Sequence, residues 1–115
     1  MVNYCIIGSG RQGTAAAYDI IKFASPKTLT VIDISVENLN HCEETIKRLT
    51  DFDINKIALD ISDEKKMIKA LKNVDIFLSA VPYPLNPYLT EIAIKSKTNM
   101  VDLGGHTENV IKQLP

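Results

Sequence analysis

Val2-Asn3-Tyr4-Cys5-Ile6-Ile7 runs directly into Gly8-Ser9-Gly10-Arg11-Gln12-Gly13, and one helical stretch later comes Thr28-Leu29-Thr30-Val31-Ile32-Asp33. The order is strand, glycine-rich turn, helix, and a second strand ending in an acid. In a G-x-G-x-x-G turn each glycine has a separate task. Gly8 allows the tight turn, Gly10 lets a pyrophosphate approach bare backbone, and Gly13 lets the helix pack close to the sheet. The start of the helix then offers free N–H groups and a positive dipole end to phosphate oxygens.

The glycine spacing alone is weak, but its context requirements are met together. Cys5-Ile6-Ile7 is an apolar run just before the first glycine. Gly13, Ala16, Ala17, Ile20 and Ile21 recur at the spacing of one helix face, so the face that buries the third glycine is apolar. Asp33 lies twenty positions past Gly13, where a carboxylate accepts hydrogen bonds from an adenosine ribose.

At 115 residues the chain is expected to be one domain, residues 1–115, large enough for one core but not for a dinucleotide fold plus a full substrate domain. Hydrophobic residues make up 45%, charged residues 23%, and the net charge is −1, so no basic surplus points to nucleic acid or an anionic membrane. There is no basic segment leading into an apolar leader, nor an apolar run long enough to span a bilayer, and a cytoplasmic location is the expectation. Cys5 and Cys42 form no C-x-x-C and read as small buried hydrophobes. With His41 and His106 the only histidines, no metal site is expected.

In chain order, a first helix is expected over Arg11 to Phe23, ended by Ser25-Pro26-Lys27. Thr28 to Asp33 is the second strand. Ser35 should cap a helix that turns Val36, Leu39, Cys42, Ile46 and Leu49 inward, with Glu43, Glu44, Lys47 and Arg48 on a solvated face. Lys56 to Ile61 is a third strand, and Ser62 should cap a short helix with Asp63 and Glu64 at its start and lysines further on. Val74 to Ala80 reads as a fourth strand, stopped by Val81-Pro82-Tyr83-Pro84. Asn86 should cap the next helix, with Pro87 in its first position. Asn99 to Leu103 is a fifth strand running into Gly104-Gly105, and Thr107 could cap a last turn through Leu114.

Five strands alternating with helices predict an α/β fold of the Rossmann type, a doubly wound parallel sheet in the order 3-2-1-4-5 within three αβα layers. The ligand crevice of such a sheet lies beyond the carboxyl ends of the first and fourth strands. Gly8, Asp33, Asp60, Ala80 to Pro82 and Asp102 all end strands at that edge.

A 2′-phosphate carries about −1.5 to −2 charges, and a carboxylate near it repels each unit by roughly 4 kcal/mol at an effective dielectric of 20. Asp33 therefore favours NAD over NADP. Against it stands Arg11, whose guanidinium could reach a 2′-phosphate or lie along the pyrophosphate. Tyr18 and Lys22 match the Y-x-x-x-K spacing of short-chain dehydrogenases but sit on the first helix, away from the crevice, and read as coincidence. Asp60 is expected to flank the adenine or cap a turn. Asp102 and His106 are near in sequence; the simpler reading has Asp102 satisfying loop amides and His106 exposed.

The second half carries more specific signals: Ser79-Ala80-Val81-Pro82-Tyr83-Pro84-Leu85-Asn86, then Glu91-Ile92-Ala93-Ile94-Lys95, then Val101-Asp102-Leu103-Gly104-Gly105. From Gly8 to Gly105 the chain resembles the saccharopine dehydrogenase family in its broad sense, with saccharopine reductase, lysine 6-dehydrogenase and carboxynorspermidine dehydrogenase. The resemblance implies hydride transfer between a nicotinamide cofactor and a carbon–nitrogen centre of an amino-acid-like substrate, and a role in lysine metabolism. By the same resemblance Gly8, Gly10, Arg11, Gln12 and Gly13 hold the pyrophosphate and Asp33 the ribose. Asp60 and Ile61 lie on the adenine side, and Ala80, Val81 and Pro82 face the nicotinamide half. Ser9 and Ile34 complete the cofactor-binding set; no catalytic residue is assigned.

Members of that family continue past the Asp102-Leu103-Gly104-Gly105 stretch into a large substrate and dimerisation domain. The expectation is thus a cofactor-binding domain with little catalysis of its own, with substrate contacts and any homodimer made elsewhere. Two other classes share the glycine loop and the acid. A stand-alone NAD-binding sensor, like the regulatory domains of potassium transporters, would not need Val101 to Gly105 or the Pro82–Pro87 loop. A methyltransferase using S-adenosylmethionine usually lacks the G-x-G-x-x-G spacing.

Overall fold

A computed structural model describes residues 1–102. The strands are β1 (Asn3–Ile7), β2 (Thr28–Asp33), β3 (Asn55–Ala58), β4 (Ile76–Ser79) and β5 (Asn99–Asp102). The helices are α1 (Arg11–Ala24), α2 (Val36–Leu49), α3 (Glu64–Ala70) and α4 (Asn86–Ser96), with a 3-10 turn at Tyr83–Leu85. All strand pairings are parallel and the order is β3-β2-β1-β4-β5, as the alternation of elements predicts.

Helices cover both faces, so adjacent strand residues enter different cores. Cys5, Ile7, Ile32 and Phe77 point to the side where α3 and α4 contribute Met67, Leu89, Ile92 and Ala93. Ile6, Leu29 and Val31 point to the side of α1 and α2, against Ala17, Leu39, Cys42 and Ile46. Each Leu, Ile, Val, Met or Phe side chain among them, taken fully out of water, stabilises the fold by about 1.5–3 kcal/mol. Burial also pushes the Cys5 thiol up to about 12 and raises that of Cys42, so both behave as apolar fillers.

The register delivers the strand ends to one edge. Ile7 pairs with Ile32 on one side and with Ser79 on the other. The ladder runs one step further, where the Gly8 amide donates to the Ile32 carbonyl at 2.8 Å and the Ala80 amide to the Ile7 carbonyl at 2.8 Å. The Leu59 amide likewise donates to the Asp33 carbonyl at 3.0 Å. Glycine loop, acid and β4 exit therefore emerge side by side.

Several element ends differ from the sequence reading. Helix α1 reaches Ala24 and is closed by Ser25 in the left-handed region at φ 47°. Strand β3 stops at Ala58, because Asp60 folds back on Ser62, and Asp63 rather than Ser62 caps α3 by accepting from the Lys66 amide at 3.2 Å. Ser35 caps α2 as expected, accepting from the Asn38 amide at 3.1 Å. Val36 and Leu49 at the two ends of α2 are exposed, since the helix overhangs the core that takes Leu39, Cys42 and Ile46. Strand β4 is shorter than the apolar run around it, spanning only Ile76–Ser79. The expected end of β5 at Leu103 and the turn from Thr107 to Leu114 lie outside the described residues.

Asn86 is the clearest correction. Leu85, at the end of the 3-10 turn, takes the N-cap position of α4 without a side-chain bond, and Asn86 is buried in the first turn. Its amide oxygen accepts from the Ser79 hydroxyl at 2.6 Å, joining the end of β4 to the start of α4 and holding the intervening Ala80–Leu85 loop at both ends. Asn86→Leu is expected to lower stability by about 1–3 kcal/mol in urea denaturation, because Ser79 is left buried without this partner. Adding Ser79→Ala should recover part of the loss.

Candidate dinucleotide site

Gly8 and Gly13 are glycines for reasons internal to the fold. Gly8 has φ +99°, a conformation side chains rarely adopt, and an added Cβ would lie 3.0 Å from the carbonyl carbon and oxygen of Ala80. A Cβ on Gly13 would stand 1.9 Å from the Gly8 carbonyl oxygen, so α1 crosses the loop too closely for any side chain. Gly10 is different. It has ordinary backbone angles, φ −68° and ψ −163°, and nothing lies within 4 Å of the place a Cβ would take.

The fold itself thus leaves open space above Gly10, and α1 starts there with no side-chain cap and no acid in its first turn. Uncapped first-turn N–H groups beside a bare backbone make the anion cradle that a pyrophosphate occupies. The residues present fit a dinucleotide.

The crevice at the carboxyl edge is a cavity of about 220 Å³, and its lining includes Gly8, Asp33, Ile34, Asp60, Ile61 and Val81. Six of the thirteen positions expected from the sequence are brought together there. Ser9, Gly10 and Arg11 open on a larger groove of about 480 Å³ between α1 and α2, on the outer side of the glycine loop. Gln12 is exposed in the first turn of α1 and Gly13 is buried beneath it. The Ala80 backbone abuts Gly8, and Pro82 is exposed further along the same loop.

Asp33 is held by the loop it faces. Its Oδ2 accepts from both the amide and the hydroxyl of Ser9, each at 2.8 Å, and its Oδ1 accepts from the Ser35 amide at 2.9 Å. Burial works to raise the carboxyl, but the Ser35 and Ser9 amides, the Ser9 hydroxyl and the Ile34 amide outweigh it and hold Asp33 below the ordinary carboxylate range. A carboxyl lowered in the folded state adds stability above its unfolded value and loses it as pH falls through the folded one. Stability curves of the wild type and Asp33→Asn should therefore differ most near neutral pH and converge in acid.

Asp60 is exposed and its Oδ1 accepts from the Ser62 amide at 2.9 Å and hydroxyl at 2.8 Å, which keeps it ionised. It organises the turn after β3, the second of its two expected roles. The neighbouring Ile61 carbonyl accepts from the hydroxyl of the half-buried Tyr88 of α4 at 2.7 Å, so α4 steadies the turn after β3. Sequence reading missed this contact, as it missed the Ser79–Asn86 bond, since neither has a local spacing signal. Tyr18 and Lys22 lie 3.4 Å apart on α1, Tyr18 on the α1–α2 groove, so the Y-x-x-x-K match does not reach the crevice. Asp102 ends β5 opposite Ser79, while His106 lies outside the described residues.

A doubly wound parallel sheet with an open phosphate cradle and an acid at the second strand defines a Rossmann-type dinucleotide-binding domain. Residues 4–113 match the family model for the saccharopine dehydrogenase NADP binding domain, and the chain belongs to that family. Its ligand class is the nicotinamide dinucleotides. Over 45 residues it is 36% identical to saccharopine dehydrogenase [NADP(+), L-glutamate-forming] of Saccharomyces cerevisiae, an alignment covering 39% of this chain and 10% of the yeast protein. The apo structure of the yeast L-Glu-forming saccharopine dehydrogenase superposes with a TM-score of 0.75 at 23% identity, over 97% of this chain and 24% of that one. UDP-glucose-4-epimerase of Stenotrophomonas maltophila, solved with NAD and formylated UDP-arabinopyranose, shares the fold at a TM-score of 0.61 and 15% identity, over 98% of this chain and 32% of its own. The chain thus spans about a quarter of the solved yeast enzyme. Among the described residues no helix is long and apolar enough to cross a membrane.

Proposed function

We propose that this chain is the cofactor-binding domain of an oxidoreductase that moves hydride between a nicotinamide dinucleotide and a carbon–nitrogen bond of an amino-acid-like substrate. The observation that carries the dinucleotide part is Gly10, the one fingerprint glycine whose missing side chain the fold does not require, standing beside an uncapped helix start. Family membership supports the oxidoreductase class, and the yeast relative's name supplies the amino-acid chemistry.

In this reading the first-turn amides of α1 and the Gly10 backbone hold the pyrophosphate. Asp33 takes a ribose hydroxyl, Ile34 and Ile61 flank the adenine, and Val81 borders the nicotinamide half. The cofactor supplies or accepts the hydride, while groups outside these 115 residues bind the amine. Asp33 puts NAD ahead of NADP, because its ionised carboxylate attracts a 2′-hydroxyl and repels a 2′-phosphate. Position 34 is Ile and position 35 is Ser, so no second cation follows the acid.

The substrate class is tested with the protein from the complete reading frame, NAD or NADP, and saccharopine or lysine, followed by the absorbance of the reduced nicotinamide. Turnover with one of these amines supports the class. A protein that binds the dinucleotide yet oxidises neither amine contradicts it.

A further inference from the structure

We propose that Ser9 is a specificity-determining residue for the dinucleotide, acting through Asp33. Its two hydrogen bonds to one carboxylate oxygen blunt the charge that the ribose 2′ substituent meets. The proposal rests on the reading of this crevice as a dinucleotide site and assigns a task to a side chain that the glycine fingerprint leaves unspecified.

A carboxylate oxygen offers about two acceptor positions. Oδ2 of Asp33 has both filled by Ser9, and Oδ1 has one filled by the Ser35 amide. Among the described residues these three bonds leave one acceptor position on the carboxylate, which the Ile34 amide also faces, so there is room for a single ribose hydroxyl at most and not for a two-oxygen grip on the 2′ and 3′ hydroxyls. Ser9 is buried, 4% exposed, and the Thr14 hydroxyl donates to its carbonyl at 3.2 Å, so the residue is held from both sides and cannot easily swing away.

The consequence is a less selective acid. Donors to an ionised carboxylate form charge-assisted bonds that draw its charge toward them, so a 2′-phosphate meets weaker repulsion than the bare carboxylate would exert. The exposed Arg11, two residues on, is engaged by no ion pair among the described residues and lines the groove that Ser9 also lines. A site with an acid at the NAD-selecting position is in this way made tolerant of NADP.

Removing the Ser9 hydroxyl should therefore sharpen selectivity. In Ser9→Ala the freed acceptor position takes a ribose hydroxyl of NADH, and the less compensated charge repels the phosphate of NADPH. Wild type, Ser9→Ala and Ser9→Cys are titrated with NADH and NADPH at one ionic strength by calorimetry. The ratio of the NADPH to the NADH dissociation constant is expected to rise at least about threefold in Ser9→Ala, given that bonds to charged groups are among the stronger ones. Ser9→Cys, with a thiol that donates weakly, should move the same way, and it carries the comparison if the alanine variant does not fold.

A ratio that stays constant while both affinities fall together would show that Ser9 only shapes the loop and would overturn the proposal. So would an unchanged ratio with unchanged affinities. A ligand-free readout separates this from failure of the dinucleotide reading. The carboxyl carbon of Asp33, followed by NMR against pH, should titrate at higher pH in Ser9→Ala than in the wild type, and an unmoved midpoint overturns the clamp itself. A wild type with a normal clamp that binds neither cofactor overturns the dinucleotide reading, and the specificity role with it.

Discussion

Gly13→Ala is expected to lose roughly 3 kcal/mol or more of stability, measured as a fall in the urea midpoint of the ligand-free chain. The new Cβ would stand 1.9 Å from the Gly8 carbonyl oxygen. That oxygen is backbone in a loop whose amide is already tied to Ile32, and Ala80 is bonded alongside to Ile7, so it cannot rotate away like the end of a flexible side chain. Helix α1 must lift off the sheet instead. Lifting it loosens the packing of Ala17 and of the half-buried Ala16, Ile20 and Ile21 against Ile6, and the damage extends beyond one methyl group. A midpoint within experimental error of the wild type would show that the close crossing of α1 over the loop is not a feature of the protein in solution.

Gly10→Ala should behave in the opposite way, with the fold kept and the ligand lost. Nothing lies within 4 Å of its added Cβ, and its backbone angles suit any residue. The stability change should stay within about 0.5 kcal/mol, as for an unconstrained surface position. On the proposed placement of the pyrophosphate, a dinucleotide would meet a methyl group at the Gly10 backbone, and affinity should fall by roughly tenfold or more, about 1.4 kcal/mol. Calorimetric titration with NADH beside a urea curve of the same sample checks both halves. Unchanged affinity would remove the phosphates from the glycine loop. The two glycines thus separate fold from function within one motif.

The architecture was legible because the central strands β1, β2 and β4 carry apolar runs and each longer helix repeats its apolar residues at helical spacing. Right-handed crossovers then leave few orders for five parallel strands. The acid at position 33 and the glycine loop fell where that topology needs them, and six of the expected positions do share one cavity. What sequence could not show is where pairing stops. Leu59 is buried at 9% exposure and reads as strand, yet the chain leaves β3 before it because Asp60 turns toward Ser62. Val36 and Leu49 keep the helical period of α2 and still face solvent, since periodicity says nothing about where the opposing sheet ends.

Polar partners joined at no regular spacing were the other hidden feature. Asn86 is a good helix-capping type in a capping position by spacing, but the 3-10 turn before it moves the cap to Leu85, and its side chain goes to a serine seven residues back. Ser9 and Asp33 are 24 residues apart, and only the β1–β2 register brings them together. Asp33 reads from sequence as a ribose acceptor and is, in the fold, also the anchor of the loop that would hold the phosphates. That double engagement is why ribose selectivity cannot be read from the acid alone.

The most direct test of the dinucleotide site is thermal unfolding of the chain with NADH, NADPH or S-adenosylmethionine. A ligand present at 100 times its dissociation constant adds about 2.7 kcal/mol to the folded state. Tm should rise with both reduced nicotinamide dinucleotides, more with NADH, and stay unchanged with S-adenosylmethionine. A shift with S-adenosylmethionine alone, or with none of the three, would contradict the dinucleotide site.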